Sequence, residues 1–255
     1  MNAELVEYLL TPVAPPLREA LRSSIGIRSR HRRLSAEWAP HLAQTRQFLS
    51  QTMNRCTGSG LAILLGAGLH HDIPVTALSK RFREVLLVDI VHPAFSAIPL
   101  LARRNVHRIH LDLNGFIHLD PTTGALRSVA ALSSPNSIAS LPACDFIASV
   151  NVASQLALAT PPTASDPSTN PLTLIQRHLN ELREHPSEIK ALISDRWIRR
   201  SHFDTKQTPA TNDDALHGVN LRAPDHHWIW NLAPQGEISQ EVSVECEVHA
   251  WAQSF

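Results

Sequence analysis

The 255-residue chain is poor in cysteine, carries no surplus charge of either sign and lacks any long apolar run. Its three cysteines, Cys56, Cys144 and Cys246, stand far apart with no C-x-x-C spacing, which excludes a zinc ribbon or a disulfide framework and predicts a reducing, cytoplasmic setting. Lys plus Arg equals Asp plus Glu at 23 each, so no global field recruits nucleic acid or an anionic membrane, and neither partner is expected. No stretch approaches the roughly 20 apolar residues of a membrane span. The start, MNAELVEYLL, has no basic flank of the kind a secretory signal carries. No internal repeat is present. The 43% hydrophobic content, by contrast, suits a substantial core and an enzyme-sized globular chain.

That apolar content alternates in type. Up to about Asn54 the pattern is helical, broken by Pro12, Pro15 and Pro16, and predicts two or three helices. LAILLGAG then reads as a strand, VTALSKRF as a helix, VLLVDI as a strand and PAFSAIPLLARR as a helix. VHRIHLDL, DFIASVNV and ALISDRWI follow as third, fourth and fifth strands. This order predicts an α/β fold, an open and mostly parallel sheet covered by helices on both faces. HHWIWNLA and EVSVECEVHAWA, separated only by PQGEISQ, predict a C-terminal antiparallel hairpin. The division expected is an N-terminal helical cap, 1–56, and an α/β domain, 57–255. Polar, Pro-, Ser- or Thr-rich stretches at 120–142, 159–171 and 204–215 read as loops; the second follows the fourth strand, where a flap over a site is one reading and a surface linker the other.

Gly66 and Gly68 close the first strand just before a helix expected near Pro74, where glycines let a backbone approach a ligand and a helix N-terminus offers N–H groups. Asp89 closes the second strand about 20 residues later, the spacing of an acid that accepts both ribose hydroxyls. A nicotinamide-dependent oxidoreductase would share that spacing, but its third glycine position is filled here by the bulky His71.

From ILLGAG through VLLVDI, HLDLNG and DFIASVNVASQL to the terminal hairpin, residues 57–255 resemble the class I, Rossmann-like methyltransferases that use S-adenosylmethionine. The resemblance implies that Gly66 and Gly68 pass beneath the methionine part of the cofactor and that Asp89 holds its ribose. It implies further that Asp112 meets the adenine amino group and that Asn151 lies near the transferable methyl, with Ser154 and Gln155 where the family pattern has histidines. Leu64 stands where the family usually has an acid, and His70 replaces its third glycine; Asp72 is the carboxylate available to the methionine amino group, or else a helix N-cap before Pro74. The implied function is methyl transfer to a small-molecule nucleophile, with non-catalytic binding of S-adenosylmethionine or S-adenosylhomocysteine as the alternative and the oxidoreductase behind both.

Other polar groups are less directive. His70 or His71 has the chemistry of a general base; neither the pair 70–71 nor His226–His227 has metal-ligand spacing, so no metal is expected. The basic run RSRHRR, 28–33, reads either as an anion site or as a solvated helix face, and with Trp38 and His41 its segment is placed as a substrate cap. Asp195 is a substrate-side candidate on the same sheet edge, unless Arg196 and Arg199 neutralise it. Trp228 and Trp230 alternate with Ile229 and are read as sheet-face residues. Acceptor atom and oligomeric state stay open.

Overall fold

The computed structural model describes residues 3–113, 118–119, 126–127, 137–156, 170–203 and 208–255. Most of the stretch 120–142 and all of the expected flap except 170 and 171 lie outside them.

Three helices open the chain, α1 (Ala3–Leu10), α2 (Arg18–Arg33) and α3 (Ser35–Met53). The alternating region follows as β1 (Leu61–Leu65), α4 (Val75–Arg81), β2 (Glu84–Asp89) and β3 (Val106–His110). A two-residue pair, β4 (His118–Leu119) and β5 (Leu126–Arg127), forms a small ladder of its own. Then come β6 (Cys144–Val150), α5 (Val152–Leu156), α6 (Pro171–Glu184), β7 (Ser187–His202), β8 (Thr211–Asp214), β9 (His226–Ala233) and β10 (Val242–Ala252). Asn170 caps α6 by accepting the Leu172 N–H at 2.9 Å, with Pro171 preset for the first turn.

The main sheet runs β3-β2-β1-β6-β7-β10-β9. Its first five strands are mutually parallel, and β10 is antiparallel to both β7 and β9. This is the Rossmann-like, class I methyltransferase-type sheet that the resemblance implied, including the hairpin. Alternation within the strands decides the two faces. Leu64, Val85, Leu87, Ala148 and Val150, with Ala191 and Ile193, pack on one side against Phe48, Leu49 and Met53 of α3 and against α4. Ile63, Leu65, Val88, Ile147 and Leu192 face the other side, under α5 and α6.

Three segments differ from expectation. Ala94–Leu100 is a 3-10 helix, because Pro99 within it has no N–H for an α-helical bond. β7 outlasts β6, and part of the segment expected as a loop, Thr211–Asp214, pairs with the open edge at Trp197–Arg200; backbone groups on that edge need partners. β3 ends at His110 rather than Leu113, although the Leu111 N–H still reaches the Asp89 carbonyl at 2.9 Å. Among the described residues no helix is long and apolar enough to cross a membrane.

Candidate functional site

The turn after β1 is shaped by its own neighbours. Gly66 has φ +79°, and a Cβ there would lie 2.3 Å from the Val150 carbonyl oxygen; at Gly68 it would lie 2.6 Å from the Val91 carbonyl oxygen and 2.9 Å from the Asp89 carboxyl carbon. Both positions therefore demand glycine before any ligand is considered. The donors of this turn are also engaged. Gly66 and Ala67 N–H groups reach the Val88 carbonyl at 2.9 and 3.2 Å, and the Gly68 N–H reaches Asp89 Oδ2 at 2.7 Å. Pro74 is the N-cap of the short α4, so the expectation that Asp72 caps that helix is corrected: no side chain caps it.

Asp89 ends β2 as expected and is partly exposed. One carboxylate oxygen holds Gly68 and the other lies 3.5 Å from the Val91 N–H. Burial raises its pKa against the lowering effect of these N–H groups. Asp112 lies just past β3 and is buried. Asn151 is the first residue beyond β6 and takes a left-handed backbone, φ +57°, with its N–H on the Ile193 carbonyl at 2.8 Å. Its side-chain Oδ1 is buried without a partner. Ser154 is buried on α5, whereas Gln155 is exposed, which separates the two residues read together from the sequence.

Asp195 does not end its strand, because β7 runs on to His202. Nor do the neighbouring arginines neutralise it. Arg196 bridges to Asp214 at 3.1 Å, and Arg199 is exposed. Burial first and the Asp72 charge with it, against the Ser154 hydroxyl, push the Asp195 carboxyl up to about 6. Asp72 is itself pushed up to about 6, by burial first and then by Asp89, against the pull of Arg46. Asp72 thus lies within electrostatic reach of both Asp89 and Asp195.

The histidines are drawn away from these carboxylates. His70, at φ +45°, places Nε2 2.7 Å from the Ser96 carbonyl, a contact that requires it to be the protonated nitrogen and leaves Nδ1 as acceptor. The His71 ring stacks on His31 at 4.2 Å between centroids; burial and nearby positive groups hold its pKa down to about 4, so it is neutral at pH 7 and only a weak base. His226 and His227 are exposed on β9. Among the described residues no group of three His, Cys, Asp or Glu side chains is placed to hold a metal ion.

The basic run at 28–33 is partly paired within the chain, while Arg32 and Arg33 are exposed. Arg28 pairs with Glu7 of α1, which is fully buried, and Arg30 and Arg33 pair with Glu237 beside the hairpin turn. Glu7 also accepts the Phe95 N–H at 2.9 Å, and Thr11 Oγ1 accepts the Ala94 N–H at 2.9 Å, which ties α1 to the segment after β2. Sequence reasoning missed Glu7; the signal was a pair of acids, Glu4 and Glu7, in an otherwise apolar helical stretch, with a basic run about one helix away.

Aromatic packing joins α3 to β9. Trp38 meets Trp230 edge-on at 5.0 Å, His41 stacks on Trp230 at 4.1 Å, and the Trp228 indole N–H donates to His41 Nδ1 at 3.0 Å. Trp228 and Trp230 pack against the sheet core, as read from the sequence. Burial holds His41 down to about pKa 3, so it stays neutral in the folded chain while an unfolded histidine titrates near 6.5. Its contribution to stability is present above pH 6.5 and is lost as protons bind the unfolded state below that. Replacing His41→Gln, which keeps an acceptor, is expected to remove about 2 kcal/mol of the stability lost between pH 7.5 and 5. Urea midpoints of both proteins at the two pH values measure this; identical losses would mean His41 is protonated in the folded chain.

No family model matches the chain, and no curated protein matches it. Similar solved structures include a DhpI–SAM–HEP complex, 9% identical over 96% of this chain and 99% of that one, TM-score 0.40. Also similar are the YcgJ protein of Bacillus subtilis, 15% identical over 60% of this chain and 51% of that one, TM-score 0.36, and the 23S rRNA methyltransferase ErmE, 7% identical over 80% and 67%, TM-score 0.33. The chain spans about half the length of the YcgJ protein. Likeness at these scores carries no weight for function, which has to rest on the chain's own residues.

Proposed function

We propose that the chain is an S-adenosylmethionine-dependent methyltransferase acting on a small-molecule nucleophile. The observation that carries this reading is the set of acceptors at the carboxyl edge of the sheet: Asp89, which ends β2 against the Gly68 N–H, Asp72, within electrostatic reach of Asp89, and Asn151 Oδ1, buried without a partner among the described residues. A set of acceptors is complementary to a ligand bearing positive charge and N–H and O–H donors, and this cofactor has a sulfonium, an ammonium and ribose hydroxyls. In this assignment Gly66 and Gly68 form the turn under its methionine part, Asp89 accepts the ribose hydroxyls and Asp112 faces the adenine amino group. Asp72 takes the methionine ammonium, because Leu64 is fully buried in the sheet core and offers no acid. Asn151 lines the reaction centre, and His70 or His71 stands nearest to a base, with His70 Nδ1 the better acceptor. Residues 1–56 are proposed as the cap over residues 57–255, held down by the Phe95 N–H to Glu7 and Ala94 N–H to Thr11 hydrogen bonds and by the pairing of Arg30 and Arg33 with Glu237.

When bound, the cofactor supplies a methyl group already activated by its sulfonium, so the residues have to position, desolvate and accept a proton rather than activate a leaving group. The oxidoreductase reading loses support from the turn itself, whose Gly66, Ala67 and Gly68 donors are taken by Val88 and Asp89 instead of being left for a pyrophosphate. Leu64 favours a second reading, binding without catalysis. Calorimetric titration of the full chain is expected to show S-adenosylhomocysteine binding and no NADH binding; the reverse result rejects the assignment. Transfer of a labelled methyl group then separates an enzyme from a non-catalytic binder.

A further inference from the structure

We infer that the edge where β6 ends beside Asp195 of β7 binds an amine, so that, given the methyltransferase reading on which this rests, the acceptor is a nitrogen nucleophile rather than a hydroxyl or thiol. Two neighbouring acceptors carry the inference. Asn151 is only 8% exposed, yet its Oδ1 has no partner among the described residues, and Asp195 Oδ1 is likewise buried and unpartnered among them. Buried polar atoms in folded chains nearly always have partners, and an orphan calls for a bound group. These two belong together. The Asn151 N–H binds the carbonyl of Ile193, two residues before Asp195, and the Ser154 hydroxyl lies 3.4 Å from the Asn151 carbonyl oxygen and 3.5 Å from Asp195 Oδ2.

What both lack is a donor. Ser154 has a single proton for two long contacts, and Arg196 is committed to Asp214 and to the Val219 carbonyl. Strand alternation puts Asp195 in line with Ile189, Ala191 and Ile193, the face beneath α3 on which Trp228 and Trp230 also pack, so its carboxylate is at the end of an apolar row. A carboxylate there is satisfied best by a group that brings charge and more than one N–H. A primary ammonium has three donors and a formal charge, and can reach both oxygens at once, and passing one proton to the Asp195 carboxylate frees the nitrogen lone pair that takes the methyl; a hydroxyl has one donor and no charge.

The test uses the full chain saturated with S-adenosylhomocysteine and titrated with propylamine, benzylamine and phenethylamine, each against its alcohol isostere. The amines are expected to bind roughly 10- to 100-fold more tightly than the alcohols, the usual range for charge-assisted hydrogen bonds. Asp195→Asn is expected to abolish that preference and leave S-adenosylhomocysteine affinity unchanged. Alcohols binding as well as the amines, or no amine binding, overturns the inference without needing the variant. So does an Asp195→Asn protein that loses S-adenosylhomocysteine affinity but keeps the amine preference, since Asp195 would then serve the cofactor. If S-adenosylhomocysteine fails to bind the wild type, it is the methyltransferase reading that falls, and the same amine and alcohol comparison without it still decides the amine site.

Discussion

Replacing Arg28 by alanine is expected to lower stability by about 3 to 5 kcal/mol, the scale for removing one partner of a buried ion pair. Glu7 is fully buried and the Arg28 side chain is 13% exposed, so the guanidinium fork is the main compensation for that carboxylate's lost hydration. The Phe95 N–H would remain as a single donor. Part of the cost can be evaded by protonating Glu7, so the loss should be larger at pH 8 than at pH 5. Replacing both residues by leucine removes the uncompensated charge and is expected to recover most of the stability. Urea unfolding of the three proteins measures this. A loss below about 1 kcal/mol for Arg28→Ala would mean that water reaches Glu7 and that α1 is held by other contacts.

The Asp89→Ala variant is expected to bind S-adenosylhomocysteine more weakly by about 2 to 4 kcal/mol, roughly 30- to 1000-fold, because two charge-assisted hydrogen bonds to the ribose would be lost. It should also cost about 1 to 2 kcal/mol of stability, because the buried Gly68 N–H would lose its acceptor. Asp89→Asn separates the two roles. Its amide oxygen can still accept from Gly68, so folding should be close to wild type, while its NH2 group offers a donor where the ribose needs an acceptor. Calorimetry beside urea unfolding reads both quantities. Unchanged affinity in Asp89→Asn would remove Asp89 from the cofactor site and leave it as a brace for the glycine turn.

Much of this architecture is legible in residue order. Strands and helices follow from periodicity, and the carboxyl edge is marked because LAILLGAG and VLLVDI change abruptly from apolar to Gly, His or Asp at one end. Asp195 shows where such reading stops. In ALISDRWI it looks like a strand end flanked by neutralising arginines, but β7 continues because β8 and β10 supply hydrogen-bond partners from residues far along the chain. Strand alternation then turns Asp195 away from Arg196. The basic run at 28–33 fails for a related reason: its meaning depends on Glu7 and Glu237, one of them more than 200 residues away.

The sequence by itself determined the α/β class, the terminal hairpin, the helical start and the positions of Gly66, Gly68, Asp89 and Asn151 at strand ends, because local periodicity and turn chemistry act over a few residues. Only the tertiary structure decided that the glycine turn uses its own donors, that His71 is neutralised by burial against His31, and that Asn151 Oδ1 and Asp195 Oδ1 are buried without partners among the described residues. Those outcomes depend on which groups distant segments bring together and on how much water they exclude, and the free energy of a charge or a hydrogen bond is set by that surrounding rather than by neighbours in the chain.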